Sequence, residues 1–598
     1  MNPALKKILF SILIVLAGFS FAGCDDLLDA VPKDKMTTDT FFKSESELKA
    51  FAMNFYGMFP GTELYIANDD HYTQNNPSNE VMGKRTVPAS GSGWSWGALR
   101  NVNTLLEYLP NCKDETARTQ YEALARFFRA YFYFEKVKRF GDVPWYDKPV
   151  GSKDEEALNR PRDPREFIMQ RMIEDIDFAI ANLPSGKSAY EVTKWTAMAL
   201  KSRFLLFEGT FRKYHTEFNY GADAKDYKWY LDLCAQTSYE FIQSSGYSLH
   251  KGDGPNSGYH QLFTTFSAEE LTDEVILARN YNKAYGAYHN SNYTMNTGSM
   301  GCPSMTKKLA ASYLCKDGSR FTDIAGWDSK LFGEETQNRD PRMAQSIRTP
   351  GYKRMGEEDF TAPDFKVTFT GYHPDKYVTT IDQDTYNNAD IDLIIFRAGE
   401  VLLNYAEAKA EAGTLTQDDL DLSVNKLRDR VGMPHMDMAA ANANPDPFLT
   451  DKAWGGYQNV NGANKGVILE IRRERAIELA QEGHRYYDII RWKEGKVFEA
   501  PFYGMYFPGE GVYDLDGNGT PDIEIFSEAA TSKAPVQSKL GTDIILKDGN
   551  SGLVRMHSGI TCTWNEDRDY LYPIPTDERN LTHGALTQNP GWDDGLNF

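Results

Sequence analysis

Apolar positions recur at helical spacing through much of this chain. Leu124, Phe127, Phe128, Tyr131 and Phe132 fall on one face of a single stretch. Ile168, Met172, Ile176, Ala179, Ile180 and Leu183 line another, and Pro184 closes it. Just upstream, Asp163-Pro164-Arg165-Glu166 reads as a helix start, with Asp as N-cap, Pro in the first helical position and Glu in the third. The same pattern predicts helices over residues 195–207, 230–242, 397–412, 420–431 and 467–483.

These helices fall in neighbouring pairs: 98–109 with 116–140, 165–183 with 193–212, 397–412 with 420–431, and 467–483 with 484–492. Paired helices with short turns suggest an α-solenoid of tetratricopeptide type, although the strict repeat consensus is absent and the period is irregular. Residues 246–388 break the pattern. They are rich in Gly, Asn, Tyr and Pro and read as loops with a few short strands. Residues 503–550 read as a second loop-rich insertion. Loops on a rigid helical frame are where a binding site is expected.

Charge narrows the partners. With a net charge of -20 the chain lacks the basic surface that phosphate backbones require, which argues against nucleic acid. The 34 Tyr and 10 Trp suit the faces of sugars, though large cores use aromatics too. Six cysteines are scattered along the chain with no zinc-type spacing. A local bridge between Cys302 and Cys315 is open in an oxidising compartment.

The first 24 residues carry an address. Lys6 and Lys7 precede an apolar run from Ile8 to Leu16, and small residues lead to Phe21-Ala22-Gly23-Cys24. That is the grammar of an export signal, and the run is short for a membrane span. The cysteine after Ala-Gly resembles the lipobox of bacterial lipoproteins, with Phe21 in place of the usual Leu. The expectation is a signal peptide over 1–23 and a lipid on Cys24. An ordinary signal peptide is the alternative.

The densest motif is EIRRERAIELAQEGHRYYDIIRW over residues 470–492. Glu470, Glu474, Glu478 and Glu482 fall four residues apart, a spacing at which like charges repel on an isolated helix. Arg473, Arg475 and Arg485 stand close enough to compensate. Ion pairs locking neighbouring helices explain this stripe better than catalysis does.

This motif resembles the signature of the SusD/RagB family of outer-membrane nutrient-uptake lipoproteins. Other blocks follow in the family's order: Cys24-Asp-Asp-Leu-Leu-Asp with Pro32, LRNVN from Leu99, ARFFRAY from Ala125, FGDVP from Phe140, RDPR from Arg339, FRAGEVLL from Phe396, YAEA from Tyr405, NKLR from Asn425, PIP from Pro573 and QNPGW from Gln588. The resemblance implies a mainly α, SusD-like fold with four tetratricopeptide-like helix pairs and a loop-rich ligand-binding region. It implies one domain over 24–598, with an N-terminal part of about 24–245 and a remainder of about 246–598. It also implies a non-enzymatic role at the cell surface: capturing glycan and passing it to a SusC-type TonB-dependent transporter. Some relatives handle peptides, and a glycoside hydrolase is the remaining rival.

Candidate contacts follow from residue types. Gly91-Ser-Gly-Trp94-Ser-Trp96 sets two indoles in a Gly/Ser segment, where they are expected to be presented to ligand; Trp96 also suits a core anchor for the helix after it. The family's starch-binding member has tryptophans in the matching segment. Arg85, Asn79 and Asn101 can supply hydrogen bonds. Tyr281, Tyr285 and Tyr288 lie in an amide-rich loop and Trp327 in another; the resemblance places aromatics of this region in a glycan-binding arc. Packing of these rings against helices is the alternative.

Asp514, Asp516, Asn518, Thr520 and Asp522 offer oxygens at alternate positions with glycines between them, resembling a calcium loop. The twelfth residue from Asp514 is Ile525, so the full EF-hand pattern fails, and a solvated turn is the alternative. No cofactor is expected beyond this possible structural calcium. Common hydrolase, nucleotide and metalloprotease motifs are absent from the sequence.

Overall fold

The computed structural model describes residues 41–62 and 68–598. The signal segment and Cys24 lie outside them. The principal helices are α1 Glu45–Ala52, α2 Gly97–Tyr108, α3 Glu115–Phe140, α4 Arg165–Asn182, α5 Lys194–Tyr214, α6 Tyr227–Ser244, α7 Ala398–Ala412, α8 Gln417–Leu422, α9 Val424–Arg430, α10 Lys465–Glu478 and α11 Arg485–Arg491. The expected helix pairs are therefore present within a few residues of their expected ends. None of the described helices is long and apolar enough to cross a membrane.

Local chemistry sets these ends. Asp114 caps α3, its Oδ1 accepting the Ala117 amide at 3.1 Å, and Lys138 and Arg139 stand in the last turn against the dipole. Thr193 and Thr196 form a capping box at α5. The start of α4 differs from expectation. Asp163 does not cap it: its carboxylate accepts the Trp145 amide at 2.7 Å and pairs with Arg160 at 3.0 Å. The orphan amide of Arg165 is taken by Asp142 at 2.8 Å instead, so a residue from the preceding turn does the capping.

The helix expected over 420–431 is two pieces. Ser423 breaks it, with φ -128° and ψ -91°, while its hydroxyl bonds back to the Asp419 carbonyl at 2.5 Å. Helix α10 ends at Glu478, five residues before the expected Gly483. The carbonyls at and just past its end are bound from afar: the Glu478 oxygen accepts Tyr259 Oη at 2.6 Å and Arg397 Nη2 at 2.8 Å, and the Ala480 oxygen in the following turn accepts Lys376 Nζ at 2.8 Å. Cations at a helix C-terminus also meet the negative end of its dipole.

Helices α5 and α6 pack at unusually short range. A Cβ on Gly209 would lie 2.7 Å from Leu231 Cγ, so only glycine permits this approach. The core around α2 to α6 also takes in Phe396, Tyr405, Ile489, Trp564, Tyr572 and Ile574, so both parts of the chain share it. The ends are tied directly. Thr73 Oγ1 meets His557 Nε2 at 2.9 Å, and Tyr572 Oη donates to Glu80 at 3.2 Å.

Strands are short: β1 Tyr72–Thr73, β2 Val275–Arg279, β3 Ser304–Met305, β4 Leu393–Arg397, β5 Tyr503–Phe507, β6 Gly511–Tyr513, β7 Ile523–Phe526, β8 Val536–Lys539 and β9 Gly552–Arg555. The first four make two antiparallel pairs, β1 with β3 and β2 with β4. The 503–550 segment is more ordered than expected. Strand β5 pairs with β9, while β6, β7 and β8 form a sheet, antiparallel then parallel. Its registers bury Ile523, Ile525 and Val536.

Candidate functional site

The acidic stripe is a buried ionic hub. Glu474 binds Arg342 at 2.5 Å and Arg428 at 2.9 Å. Glu478 binds Arg430 at 2.6 Å, Arg397 at 2.7 Å and Arg342 at 3.1 Å. Glu482 binds Arg397 at 2.7 Å and Lys376 at 2.9 Å. Burial alone raises the Glu478 carboxyl, yet Arg430, Arg397 and Arg342 together hold it well below the usual range. The arginines of the motif itself turn mostly elsewhere: Arg475 to Asp488 at 2.8 Å and Arg485 to Asp70 at 2.7 Å. Arg473 alone serves the stripe, reaching Glu470 at 3.1 Å as well as Asp446. The stripe therefore locks helices together, as expected, mostly through cations that its own sequence does not contain.

Trp94 corrects the expectation of an exposed indole. It is 4% exposed, edge-on to Phe140 with ring centres 4.8 Å apart and to Trp96 at 5.4 Å. The glycines around it shape the backbone so that the ring turns inward; Gly91 and Gly93 have φ of 76° and 87°. Trp96 is half-buried among Phe132, Tyr133 and Tyr146, the anchoring position allowed for it. Arg85 is likewise internal rather than ligand-facing. It donates to the Asp569 carbonyl and lies 4.3 Å above the Tyr572 ring. Asn79 and Asn101 are exposed, on a short helical turn and on α2. Among the described residues, no hydrogen bond joins either to the 281–293 segment.

Trp327 packs with Phe448 at 5.4 Å, Trp454 at 4.9 Å and Phe321 at 6.3 Å. None of these partners belongs to the tyrosine loop, so the structure gives Trp327 a separate aromatic cluster. Cys302 and Cys315 are free rather than bridged; Cys302 Sγ faces the Gly298 carbonyl at 3.4 Å.

The tyrosine loop stands out at the surface. Residues 281–293 run against 381–392. His289 and Ala389 exchange backbone bonds at 2.7 and 3.2 Å, and the Asn290 amide donates to Asn387 Oδ1 at 2.8 Å. The Tyr281 amide is held by Asp392 at 2.7 Å. Asn282 Oδ1 caps the turn Lys283–Tyr285 through the Ala284 amide at 2.9 Å. Tyr285 is thereby 87% exposed, Tyr288 43% and Tyr386 58%. Tyr386 stands edge-on to Tyr293 at 5.4 Å. Tyr281 is half-buried against His289 at 4.5 Å. Tyr293 and Tyr386 are not among the expected contacts, although Tyr386-Asn387-Asn388 repeats the aromatic-amide composition of the first loop.

His289 is the buried fastener beneath this platform. Its Nε2 meets the Ile391 carbonyl at 2.8 Å and its Nδ1 accepts the Ser291 amide at 3.2 Å. That arrangement needs the neutral ring, and burial pushes its pKa down to about 4.

In the 514–522 loop the carboxylates of Asp514, Asp516 and Asp522 bring oxygens within 4.8 Å of one another. Burial raises the carboxyls of Asp516 and Asp522, and Asp514 adds to both shifts. Asn518 and Thr520 follow on the same turn, where the Asn518 Oδ1 accepts the Thr520 amide at 2.7 Å. Carboxylate oxygens are hard donors of the kind calcium takes.

Residues 273–592 match the family model described as SusD family, and residues 27–206 match the one described as "Starch-binding associating with outer membrane". The chain belongs to the SusD family. A SusD-like protein of Formosa agariphila is 22% identical over 547 residues, covering 84% of this chain and 94% of that relative. A SusD-like protein of Bacteroides ovatus is 22% identical over 515 residues, covering 80% and 82%. Among solved structures, a SusD-like protein from Bacteroides fragilis superposes with a TM-score of 0.66 at 21% identity, over 94% of this chain and 100% of its own. A SusD-like carbohydrate-binding protein from the same species gives 0.66 at 20%, over 91% and 99%. In this SusD-family chain the signature segment over 470–492 is scaffold, and the exposed chemistry lies on the paired loops.

Proposed function

We propose that this SusD-family protein captures oligo- or polysaccharide at the outer membrane and delivers it to a SusC-type TonB-dependent transporter. The carrying observation is the platform of exposed Tyr285, Tyr288 and Tyr386, set among Asn282, Asn290, Asn387 and Asn388 on two paired loops. Aromatic faces take the C–H surfaces of sugar rings, and amides both give and accept hydrogen bonds to hydroxyls. The description of the matching N-terminal family model and the carbohydrate-binding relative support the same reading. A lipid on Cys24 supplies the anchor; Cys24→Ala is expected to leave the protein unlipidated and free of the membrane fraction.

The role is binding rather than hydrolysis. A glycan array with the purified chain identifies the ligand, and titration calorimetry then measures it. Tyr285→Ala and Tyr386→Ala are each expected to weaken binding by about tenfold, near 1.4 kcal/mol, with unchanged melting. No new reducing ends should form on incubation. Unchanged affinity in both variants would place the glycan elsewhere. A peptide ligand in place of glycan would overturn the substrate class.

We also propose that Asp514, Asp516 and Asp522, with Asn518 and Thr520, hold a structural calcium. The crowding of three carboxylates, two of them with raised pKa, supports this reading. A bound divalent ion would relieve their repulsion and tie the β6–β7 turn.

A further inference from the structure

A cavity of about 520 Å³ lies inside the helical frame, between α3, α5 and the turn into α11. Its size is within the range of small-molecule sites, roughly 300–1,000 Å³. Solvent reaches into it: Glu135 on α3 keeps 42% of its side-chain surface accessible, while its neighbours Tyr131 and Phe134 are each 4% exposed. Aromatic rings make much of the wall, among them Tyr131, Phe134, Phe207 and Tyr572.

Most of the wall's charges are already matched. Lys138 pairs with Glu135 at 2.6 Å, Arg203 with Glu400 at 2.7 Å, Arg475 with Asp488 at 2.8 Å and Arg491 with Glu407 at 2.8 Å. Arg139 and Glu80 are the exceptions. Arg139 lies 3.7 Å above the centre of the Tyr572 ring; its Nη2 reaches Ser92 Oγ at 3.4 Å, and its buried Nε, beside Gly93, has no hydrogen-bond partner. Glu80 accepts the hydroxyl of that same tyrosine at 3.2 Å. Among the described residues neither makes an ion pair. The wall thus holds a donor, an acceptor and aromatic rings, of which Tyr572 is already covered by Arg139 and Arg85.

An apolar guest would strand both groups without water. A polyanion would find one unmatched cation and meet Glu80 and Glu135. We infer that this cavity is a second binding site, separate from the surface platform, for a neutral sugar of one or two rings, its hydroxyls bridging Arg139 and Glu80 while its C–H faces lie on the tyrosines.

Saturation-transfer NMR on the mature chain tests this with glucose, galactose, mannose, xylose, maltose, cellobiose and lactose, and with glycylglycine as a zwitterion. At least one sugar is expected to receive saturation. That signal should survive Tyr285→Ala with Tyr386→Ala, and affinity should fall by about tenfold or more in Arg139→Met. Leu206→Trp, which fills the cavity, should abolish it; if that variant does not fold, Arg139→Met decides alone. Silence from all seven sugars overturns the proposal, as does transfer to glycylglycine alone. So does a sugar affinity that is unchanged in Arg139→Met. A signal lost with the tyrosine pair belongs to the platform and also overturns it, leaving the surface reading intact.

Discussion

Arg397 and Glu478, 81 residues apart in sequence, meet at 2.7 Å in a site closed to solvent. Arg397 also binds Glu274 at 2.9 Å and Glu482 at 2.7 Å, so one guanidinium joins α10, its following turn and the segment before β2. Desolvating these charges is costly, and the network is stable only while it is complete.

Removing one member should therefore be severe. Glu478→Ala removes the carboxylate that Arg397, Arg430 and Arg342 share and is expected to cost about 3–5 kcal/mol, read as a lower melting temperature. Ligand affinity of the folded fraction should not change. The pH dependence has a fixed sign. Because the folded carboxyl is depressed, its stabilisation is complete above the unfolded value of about 4.3 and is lost as pH falls below it. Glu478→Gln should show a shallower acid loss than the parent.

His289 titrates with consequences nearer neutrality. Its folded pKa of about 4 lies below the ordinary 6.5, so the neutral ring is fully tolerated above 6.5. Between about 6.5 and 4 the unfolded chain gains a proton that the folded chain refuses, and stability falls by at most roughly 3–4 kcal/mol. Hydrogen exchange over residues 281–293 should quicken across that interval, and His289→Gln should flatten the response.

Trp94→Ala now predicts a core defect. Emptying a site bounded by Phe140 and Trp96 should cost about 3–5 kcal/mol in a thermal melt. Glycan affinity of the folded fraction should stay unchanged. Lost affinity with an unchanged melt would return Trp94 to the ligand.

Calcium should stabilise the 514–522 turn by mass action. At a hundredfold excess over its dissociation constant the gain is about 2.7 kcal/mol, which chelator should remove. Asp516→Asn should abolish the sensitivity to chelator. A parent protein whose melting ignores both calcium and chelator would make the loop a solvated turn.

Periodicity carried the helices well because α3, α5 and α7 bury continuous faces, and burial of such a face is what the 3.6-residue pattern records. Apart from Arg473, the partners of the acidic stripe were illegible. Arg342, Arg397 and Arg430 come from other segments, and no local pattern marks which cation will arrive. Trp94 misled because Gly and Ser beside an indole suggest display, whereas here positive φ at Gly91 and Gly93 turns it inward. Tyr285 was picked out by the aromatic, amide-rich composition of its loop; Tyr386 needed the pairing of two loops about a hundred residues apart, Asn290 meeting Asn387 across 97 positions.

The ties between Thr73 and His557 and between Tyr572 and Glu80 close loops of 484 and 492 residues. Contacts so remote in sequence give nothing back until nearly the whole chain exists, and such topologies fold slowly. The amino-terminal helices cannot complete their core while the ribosome still holds residues 557–574. This protein must therefore finish as a unit after synthesis, and a chain cut short near its end would expose the aromatic interior of its beginning.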